Sequence, residues 1–509
     1  MKITEFERYV SAGYTRIPLS AEIIADFDSP LSVFLKVANL PFTFLFESVQ
    51  GGEKWGRYSV IGLPCARVIR IYGNDITISD SGEEVERFTV DDPLQWIDDY
   101  QQKFRIPDIP ELPRITGGLV GYFGYDTIRY VEPTLGKNPH PDPLGNPDIL
   151  LMVASELVVF DNLSGKLTML NLVDPAQPNA YQLGLARLRE VHEAIRSSAP
   201  IHISKEARSV YESDFKSGFT EKGFKDAVRK IKQYITDGDC MQVVISQRLS
   251  VPYSADSLDL YRALRTLNPS PYMFYLNLDD HQVVGASPEI LVRLENNEVT
   301  VRPLAGTRPR GRTEAEDRAH EESLLKDPKE LAEHLMLIDL GRNDIGRIAQ
   351  TGSVKVTDKY AIERYSHVMH IVSNVIGELK PEYSPMDVLR ATFPAGTLSG
   401  APKVRAMEII QELEPVKRGI YSGAVGYLSW NGNMDTAIAI RTAVVQNGEL
   451  TVQAGAGIVY DSDPDTEWEE TMNKARAVIR AVAMAEAGLD RMPVDIDPEA
   501  PRANFKEEG

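Results

Sequence analysis

In FKDAVRKIKQYITDGD the apolar residues Phe224, Val228, Ile231 and Ile235 recur at i, i+4, i+7 and i+11, the stripe of an amphipathic helix. Gly238 is a suitable stop. The run KDPKELAEHLMLIDLGRNDIGR (326–347) predicts a second helix. Asp327 is placed to cap it, Pro328 suits its first position, and Glu330 stands three residues after the cap. Leu331, Leu335 and Ile338 are its expected buried stripe. A third helix opens at DPDTEWEETMNKARAVIR (463–480) behind the same Asp-Pro start, and NAYQLGLARLREVHEAIR (179–196) gives a fourth. Before 190 the pattern is of short strands with turn punctuation: FTFLFESV, ARVIRIYG, LVGYFGYD, LLMVASELVVFD and KLTMLNLV. MQVVISQRL (241–249) alternates as a strand, with Gln242, Val244, Ser246 and Arg248 on one face. Polar residues there line either a solvated edge or a site.

Between 419 and 460, Asn431-Gly432 and Asn447-Gly448 are hairpin turns flanked by alternating residues. A two-residue turn at 447–448 sets position 441 opposite about 454. A three-stranded meander is expected, bringing Tyr421, Arg441 and the Gly-Ala-Gly at 455–457 onto one patch. Hairpins with long helices outside them predict an α+β fold. The pattern fades at 196–216, a linker or crossover, and in the Pro- and acid-rich last residues, a flexible tail over 488–509.

Composition narrows the classes. The chain has 509 residues, enough for roughly three domain-sized units. A net charge of −19 argues against a nucleic-acid footprint or an anionic membrane surface, but leaves room for a local basic pocket. Two cysteines, Cys65 and Cys240, build neither a disulfide framework nor a Cys-rich zinc site. No secretory h-region and no membrane span is apparent, so a soluble cytoplasmic protein is expected.

Candidate chemistry lies mostly beyond 220. VRPLAGTRPRGR (301–312) sets Arg302, Arg308, Arg310 and Arg312 around Gly306-Thr307, against the overall charge. Glu330 and Glu333 on one helix, and Glu467 and Glu470 on another, are pairs three apart. They are either solvated helix surface or oxygen ligands for a hard cation. QAGAGIV offers close-approach amides for an anion without being a dinucleotide fingerprint, and no phosphate-binding GKS/T loop occurs. FPAGTLSGAPKVRAMEII (393–410) is an anion-holding helix entry or merely a tight turn. His370 is a general acid–base or a core histidine. Glu289, after Ser-Pro at a turn, is unremarkable alone.

Together, GASPEILV, RPLAGTRPRG, EHLMLIDLGRNDIGR, YSHVMH, GTLSGAPKVRAMEII, QAGAGIVYDSDPDTEWEE and NKARAV resemble the chorismate-utilising enzymes, more narrowly their anthranilate synthase component I branch. These motifs fill roughly 220–480 in the family's order; FLFESVQGGEKWGRYSVIG (44–62) extends the likeness into the N-terminal half. The resemblance implies two large antiparallel β-sheets packed between helical layers, with intertwined halves. It also implies an N-terminal region (1–200) carrying part of a tryptophan regulatory site and a chorismate-binding catalytic region (215–485). Family members that make 4-amino-4-deoxychorismate carry a nucleophilic lysine where Ala305 stands, and isochorismate and salicylate synthases a water-activating lysine where Gln242 stands. With neither lysine, the implied nucleophile is ammonia, and the implied products are anthranilate and pyruvate, in the first step of tryptophan biosynthesis.

Carried over motif by motif, the resemblance makes Glu333 and Glu470 Mg²⁺ ligands, with Glu330 and Glu467 as further acidic residues. Glu289 becomes the general acid at C4 and His370 assists pyruvate loss; Gln242 and Thr397 line the catalytic site. Gly306, Thr307, Tyr421, Arg441, Gly455, Ala456 and Gly457 bind substrate. Neither cysteine context resembles a glutaminase, so a separate glutamine amidotransferase subunit supplies the ammonia, in a hetero-oligomer expected to be a heterotetramer. L-Tryptophan is the implied feedback inhibitor, at Glu47, Ser48, Pro271, Tyr272 and Met273. The alternatives carried are aminodeoxychorismate synthase component I, which Ala305 disfavours, and a non-catalytic tryptophan-sensing scaffold.

Overall fold

The computed structural model describes residues 1–49, 57–198, 207–365 and 368–489; the middle of the expected linker and almost all of the expected tail lie outside them. Two twelve-stranded antiparallel sheets face each other. Each is assembled from both halves of the chain. In the first, Thr43–Glu47 pairs with Tyr272–Asn277, setting Glu47 opposite Met273. In the second, Ala424–Ser429 pairs with Gly118–Phe123. Phe44, Leu276 and Val283 from one sheet meet Tyr122, Leu150 and Val425 from the other in a shared core.

Helices complete the sandwich. Pro30–Val37, Ala180–Arg196, Ser257–Leu267 and Pro464–Ala487 bury their apolar faces on the first sheet. Pro93–Gln102, Pro328–Gly346 and Pro385–Thr392 do so on the second. Glu221–Thr236 and Lys403–Leu413 pack over the strand Gln242–Pro252, meeting Val243 and Ile245. Its alternate residues, Gln242, Val244 and Ser246, face the other way, as the period of two requires. The helical starts are as expected: Asp327 accepts from the amides of Lys329 (3.0 Å) and Glu330 (3.4 Å), and Asp463 from those of Asp465 and Thr466.

Three expectations need correction. The 419–460 segment is not one meander. Its first hairpin, Ala424–Ser429 with Met434–Ile438, belongs to the second sheet; its second, Thr442–Gln446 with Glu449–Ile458, belongs to the first. The chain crosses between sheets at 439–441, where Arg441 takes a left-handed φ of +50° that no continuous strand accommodates. LLMVASELVVFD likewise divides at Ser155 into Ile149–Ala154 and Glu156–Asp161, one in each sheet. On the Pro328–Gly346 helix the buried face is His334, Leu337, Ile338, Gly341, Asp344 and Ile345, whereas Leu335 is exposed and Leu331 only half-buried. HLMLIDL is apolar nearly all round, so its periodicity has no unique phase. A buried hydrogen bond between His334 Nε2 and Ser373 Oγ (2.8 Å) marks the face turned inward.

Candidate active site

Gly306 shapes one wall. Where Leu304–Pro309 pairs with Val368–Glu378, Ala305 lies opposite Ile371 and Thr307 opposite His370, so Gly306 is left over as a bulge. Its φ is +66°, and a Cβ there would sit 3.0 Å from Leu324 and 3.1 Å from the Glu330 carboxylate. The bulge turns the Gly306 carbonyl to His370 Nδ1, at 2.9 Å; Thr307 Oγ1 lies 3.1 Å from the same nitrogen. A carbonyl only accepts, so Nδ1 carries the proton and Nε2 keeps its lone pair. Burial pushes the His370 pKa down to about 4, leaving a neutral base. The Tyr365 ring stands edge-on to it, centroids 5.5 Å apart.

Glu289 lies where the chain passes from Gln282–Ser287 in the first sheet to Ile290–Glu295 in the second. The crossing is pinned. The Glu289 amide donates to Ser287 Oγ, and its carbonyl accepts from that hydroxyl (3.1 Å) and from the Ile438 amide (3.0 Å). Thr397 Oγ1 donates to the carboxyl at 3.1 Å. Burial raises the Glu289 pKa to about 8 against the opposing pull of Thr397, Lys474 and Arg441. The group is therefore a protonated acid at neutral pH. A cavity of about 40 Å³ lies beside Glu289 and Thr397.

The second crossing, carrying Arg441, runs alongside: the Ala286 amide donates to the Arg441 carbonyl. Burial lowers the Arg441 pKa, and Tyr365 and Glu289 oppose the shift. Among the described residues no hydrogen bond or ion pair engages its guanidinium. A half-buried, always-charged fork with a neutral carboxyl beside it is a site for an anion from outside the chain.

The floor comes from the pairing of Gln242–Pro252 with Glu449–Ile458, Val244 opposite Gly457 and Ser246 opposite Gly455. A Cβ on Gly455 would fall 2.9 Å from the Tyr421 hydroxyl, and one on Gly457 2.8 Å from Gln242 Nε2. Tyr421 and the Gly-Ala-Gly segment thus approach each other as expected, although Tyr421 comes from the turn before a strand of the second sheet and the glycines from a strand of the first. Burial lifts the Tyr421 phenol to about 12, so it stays a donor.

Of the four carboxylates, Glu333 and Glu467 have pKa values raised by burial, with Glu330 and Glu470 respectively adding repulsion. Lys474 acts on Glu333 and Lys329 on Glu467, so each helix feels charge from the other. Gln242 Nε2 reaches Glu333 Oε1 at 3.4 Å, and Lys474 Nζ bridges Glu470 (2.7 Å) and the Gly455 carbonyl (3.0 Å). No cluster of three or more His, Cys, Asp or Glu side chains among the described residues forms a ready metal cage. All-oxygen donors in separate pairs suit a hard cation that takes few carboxylates and completes its shell with water and substrate.

The arginine cluster is scaffolding. Arg302 pairs with Glu363, Arg308 with Asp327 (2.7 Å) and Glu330 (3.3 Å), and Arg310 with Asp317 (2.9 Å); Arg312 is exposed. Two residues that sequence reasoning assigned no role stand in the site. Lys474 had a signal, four positions after Glu470 on one helix face. Tyr365 had none.

A roomier cavity, about 380 Å³, opens between the sheets away from Glu289, lined by Glu47, Ser48, Pro271, Tyr272 and Met273 together with Arg293, Tyr427 and Asp435. Arg293 pairs with Asp435 at 2.7 Å and donates to the Tyr272 hydroxyl. Glu47 accepts from Tyr261 (2.6 Å) and Arg265 (2.9 Å).

Comparison with known proteins sets this geometry in context. The family described as chorismate binding enzyme matches residues 45–480. Anthranilate synthase component 1 of Pseudomonas aeruginosa is 60% identical over 492 residues, 96% of this chain and 100% of that one. The crystal structure of anthranilate synthase component I from Streptococcus pneumoniae superposes with a TM-score of 0.75 at 38% identity, covering 90% of this chain and 99% of that one. The menaquinone-specific isochorismate synthase of Escherichia coli shares the fold, with a TM-score of 0.68 at 19% identity over 94% and 98% of the two chains.

Proposed function

The chain belongs to the chorismate binding enzyme family, on its anthranilate synthase component 1 branch, and from that premise we propose that it converts chorismate and ammonia to anthranilate and pyruvate in tryptophan biosynthesis. The observation that carries the reading is Arg441, a half-buried guanidinium paired with no anion among the described residues, beside the protonated Glu289.

Arg441 grips the enolpyruvyl carboxylate through parallel hydrogen bonds, with the Tyr421 hydroxyl and the amides of Gly455, Ala456 and Gly457 around it. Glu333 and Glu470, flanked by Glu330 and Glu467, would hold Mg²⁺, which when bound supplies a counter-charge for the ring carboxylate. Ammonia adds at C2 as both conjugated ring double bonds shift and the C4–O bond breaks; Glu289 gives its proton to the departing hydroxyl, which leaves as water, and the new C2 ammonium gives up one proton to become the amine. Thr397 holds the acid in place, and Gly306 and Thr307 orient the ring. In the second stage the C2 proton is removed, with His370 Nε2 as its acceptor, and the C3–O bond breaks. The enolpyruvyl group leaves as pyruvate with a proton on its methylene carbon. Ala305 and Gln242 offer no amine, so neither position competes with ammonia as nucleophile.

A glutamine amidotransferase subunit supplies that ammonia in a cytoplasmic hetero-oligomer, a heterotetramer in this proposal. L-Tryptophan is its feedback inhibitor in the 380 Å³ cavity, whose size suits an amino acid with a bicyclic side chain. The test is the purified chain with chorismate, Mg²⁺ and an ammonium salt. Fluorescent anthranilate with equimolar pyruvate is expected; a 4-amino product that retains its enolpyruvyl group would overturn the assignment.

A further inference from the structure

We propose that Arg418, which touches no substrate in the mechanism above, is the positioning residue that fixes three walls of the site at once. The proposal rests on the functional reading just given. The Arg418 side chain is 1% exposed and pairs with Glu414, itself 4% exposed. Every N–H of its guanidinium is used. Nε donates to Glu414 Oε2 (2.9 Å), and Nη2 donates to Glu414 Oε1 (2.6 Å) and the Val244 carbonyl (2.7 Å). Nη1 donates to the Leu398 carbonyl (2.8 Å) and Ser422 Oγ (3.2 Å). Five donors on one rigid plane meet five acceptors, which leaves the plane no freedom.

The three acceptors outside Glu414 each stand near a site residue. Leu398 follows Thr397, whose hydroxyl holds Glu289. Ser422 follows Tyr421, and the Tyr421 ring also lies 5.7 Å from the guanidinium carbon, with Tyr125 at 4.7 Å. Val244 lies opposite Gly457 and two residues beyond Gln242, on the floor strand. Glu414 tightens the same strand by accepting from the Ser246 amide (2.9 Å) and hydroxyl (2.7 Å), and Gln453 Nε2 donates to that hydroxyl at 2.8 Å. A buried ion pair is a weak stability device, because desolvation offsets its attraction. What this one accomplishes is registry among an acid's partner, a carboxylate-binding phenol and a backbone floor that come from three separate segments.

The test compares wild type, Arg418→Lys and Ser422→Ala in the chorismate, Mg²⁺ and ammonium assay, with thermal melts alongside. Lysine keeps the charge opposite Glu414 but cannot span the other acceptors. Arg418→Lys is expected to lower kcat about tenfold and raise KM for chorismate about fivefold, non-additively with Thr397→Val and Tyr421→Phe but additively with His370→Asn. Ser422→Ala, which frees only the Tyr421 side, is expected to raise KM alone, and it carries the test if the lysine variant does not fold. Wild-type kinetics in Ser422→Ala, or additivity of Arg418→Lys in every cycle, overturns the positioning role and leaves a structural one. Failure of the wild-type chain to make anthranilate instead overturns the functional reading itself.

Discussion

Replacing Glu289 with glutamine keeps the shape and an oxygen for Thr397 Oγ1 while removing the transferable proton. A positioned general acid is worth about 10²–10⁴ in rate, so kcat should fall by that factor, roughly 3–5 kcal/mol, while KM for chorismate stays within about threefold. The structure also fixes the pH behaviour. The folded carboxyl holds its proton to about pH 8, whereas the unfolded one ionises near 4.5. Wild-type kcat/KM should therefore fall as pH rises through about 8, and the Glu289→Gln variant should lose that limb. Stability follows the same linkage. The folded state binds the extra proton between the two values, so its contribution is complete below about 4.5 and is lost as pH rises through about 8. The span corresponds to roughly 5 kcal/mol, so Glu289→Gln should melt above wild type at pH 9 and close to it at pH 5. Anthranilate fluorescence across pH and calorimetric melts read both effects. A variant within fivefold of wild-type kcat, or one with an unchanged alkaline limb, would refute the acid assignment.

Arg441→Gln should cost about 10²–10³ in kcat/KM, the value of two charge-assisted hydrogen bonds, and should weaken a non-reactive enolpyruvyl analogue equally; an unchanged analogue affinity would place the carboxylate elsewhere. Gly306→Ala forces a side chain into the left-handed region and against Leu324 and Glu330, and should destabilise the fold by about 1–3 kcal/mol in denaturant titrations; an unchanged midpoint would contradict the bulge. Glu333→Gln should abolish Mg²⁺ binding followed by Mn²⁺ competition in electron spin resonance as well as turnover; retained metal affinity removes Glu333 from the ligand set. Val60→Phe, narrowing the 380 Å³ cavity, should eliminate tryptophan binding in calorimetry without loss of anthranilate formation, and persistent binding would place the inhibitor elsewhere.

The legible parts of the site were those set by local chemistry. Asp327 and Asp463 announce their helix starts because capping is decided within four residues. Asn-Gly pairs announce each hairpin for the same reason. Which sheet a hairpin joins is decided by partners far along the chain, so the two hairpins on either side of Arg441 read as one continuous meander in the sequence, while the approach of Tyr421 to Gly455 is found in the structure. Leu335 was misplaced because an all-apolar turn has no phase of its own. The cavity holding Glu47 and Met273 exists only because residues distant in sequence pair across a seam. Likewise, the pairing of Arg308 with Asp327 and of Arg310 with Asp317 depends on how the strand Leu304–Pro309 and the residues just after it lie against the helices that follow.

Turnover of the purified chain with chorismate, Mg²⁺ and ¹⁵N-labelled ammonium, followed by mass spectrometry of products and quenched protein, tests the central claim most directly. The expected result is anthranilate carrying the label, one pyruvate for each anthranilate, and protein of unchanged mass. A covalent adduct on the chain, or a labelled product still bearing its enolpyruvyl group, would contradict it.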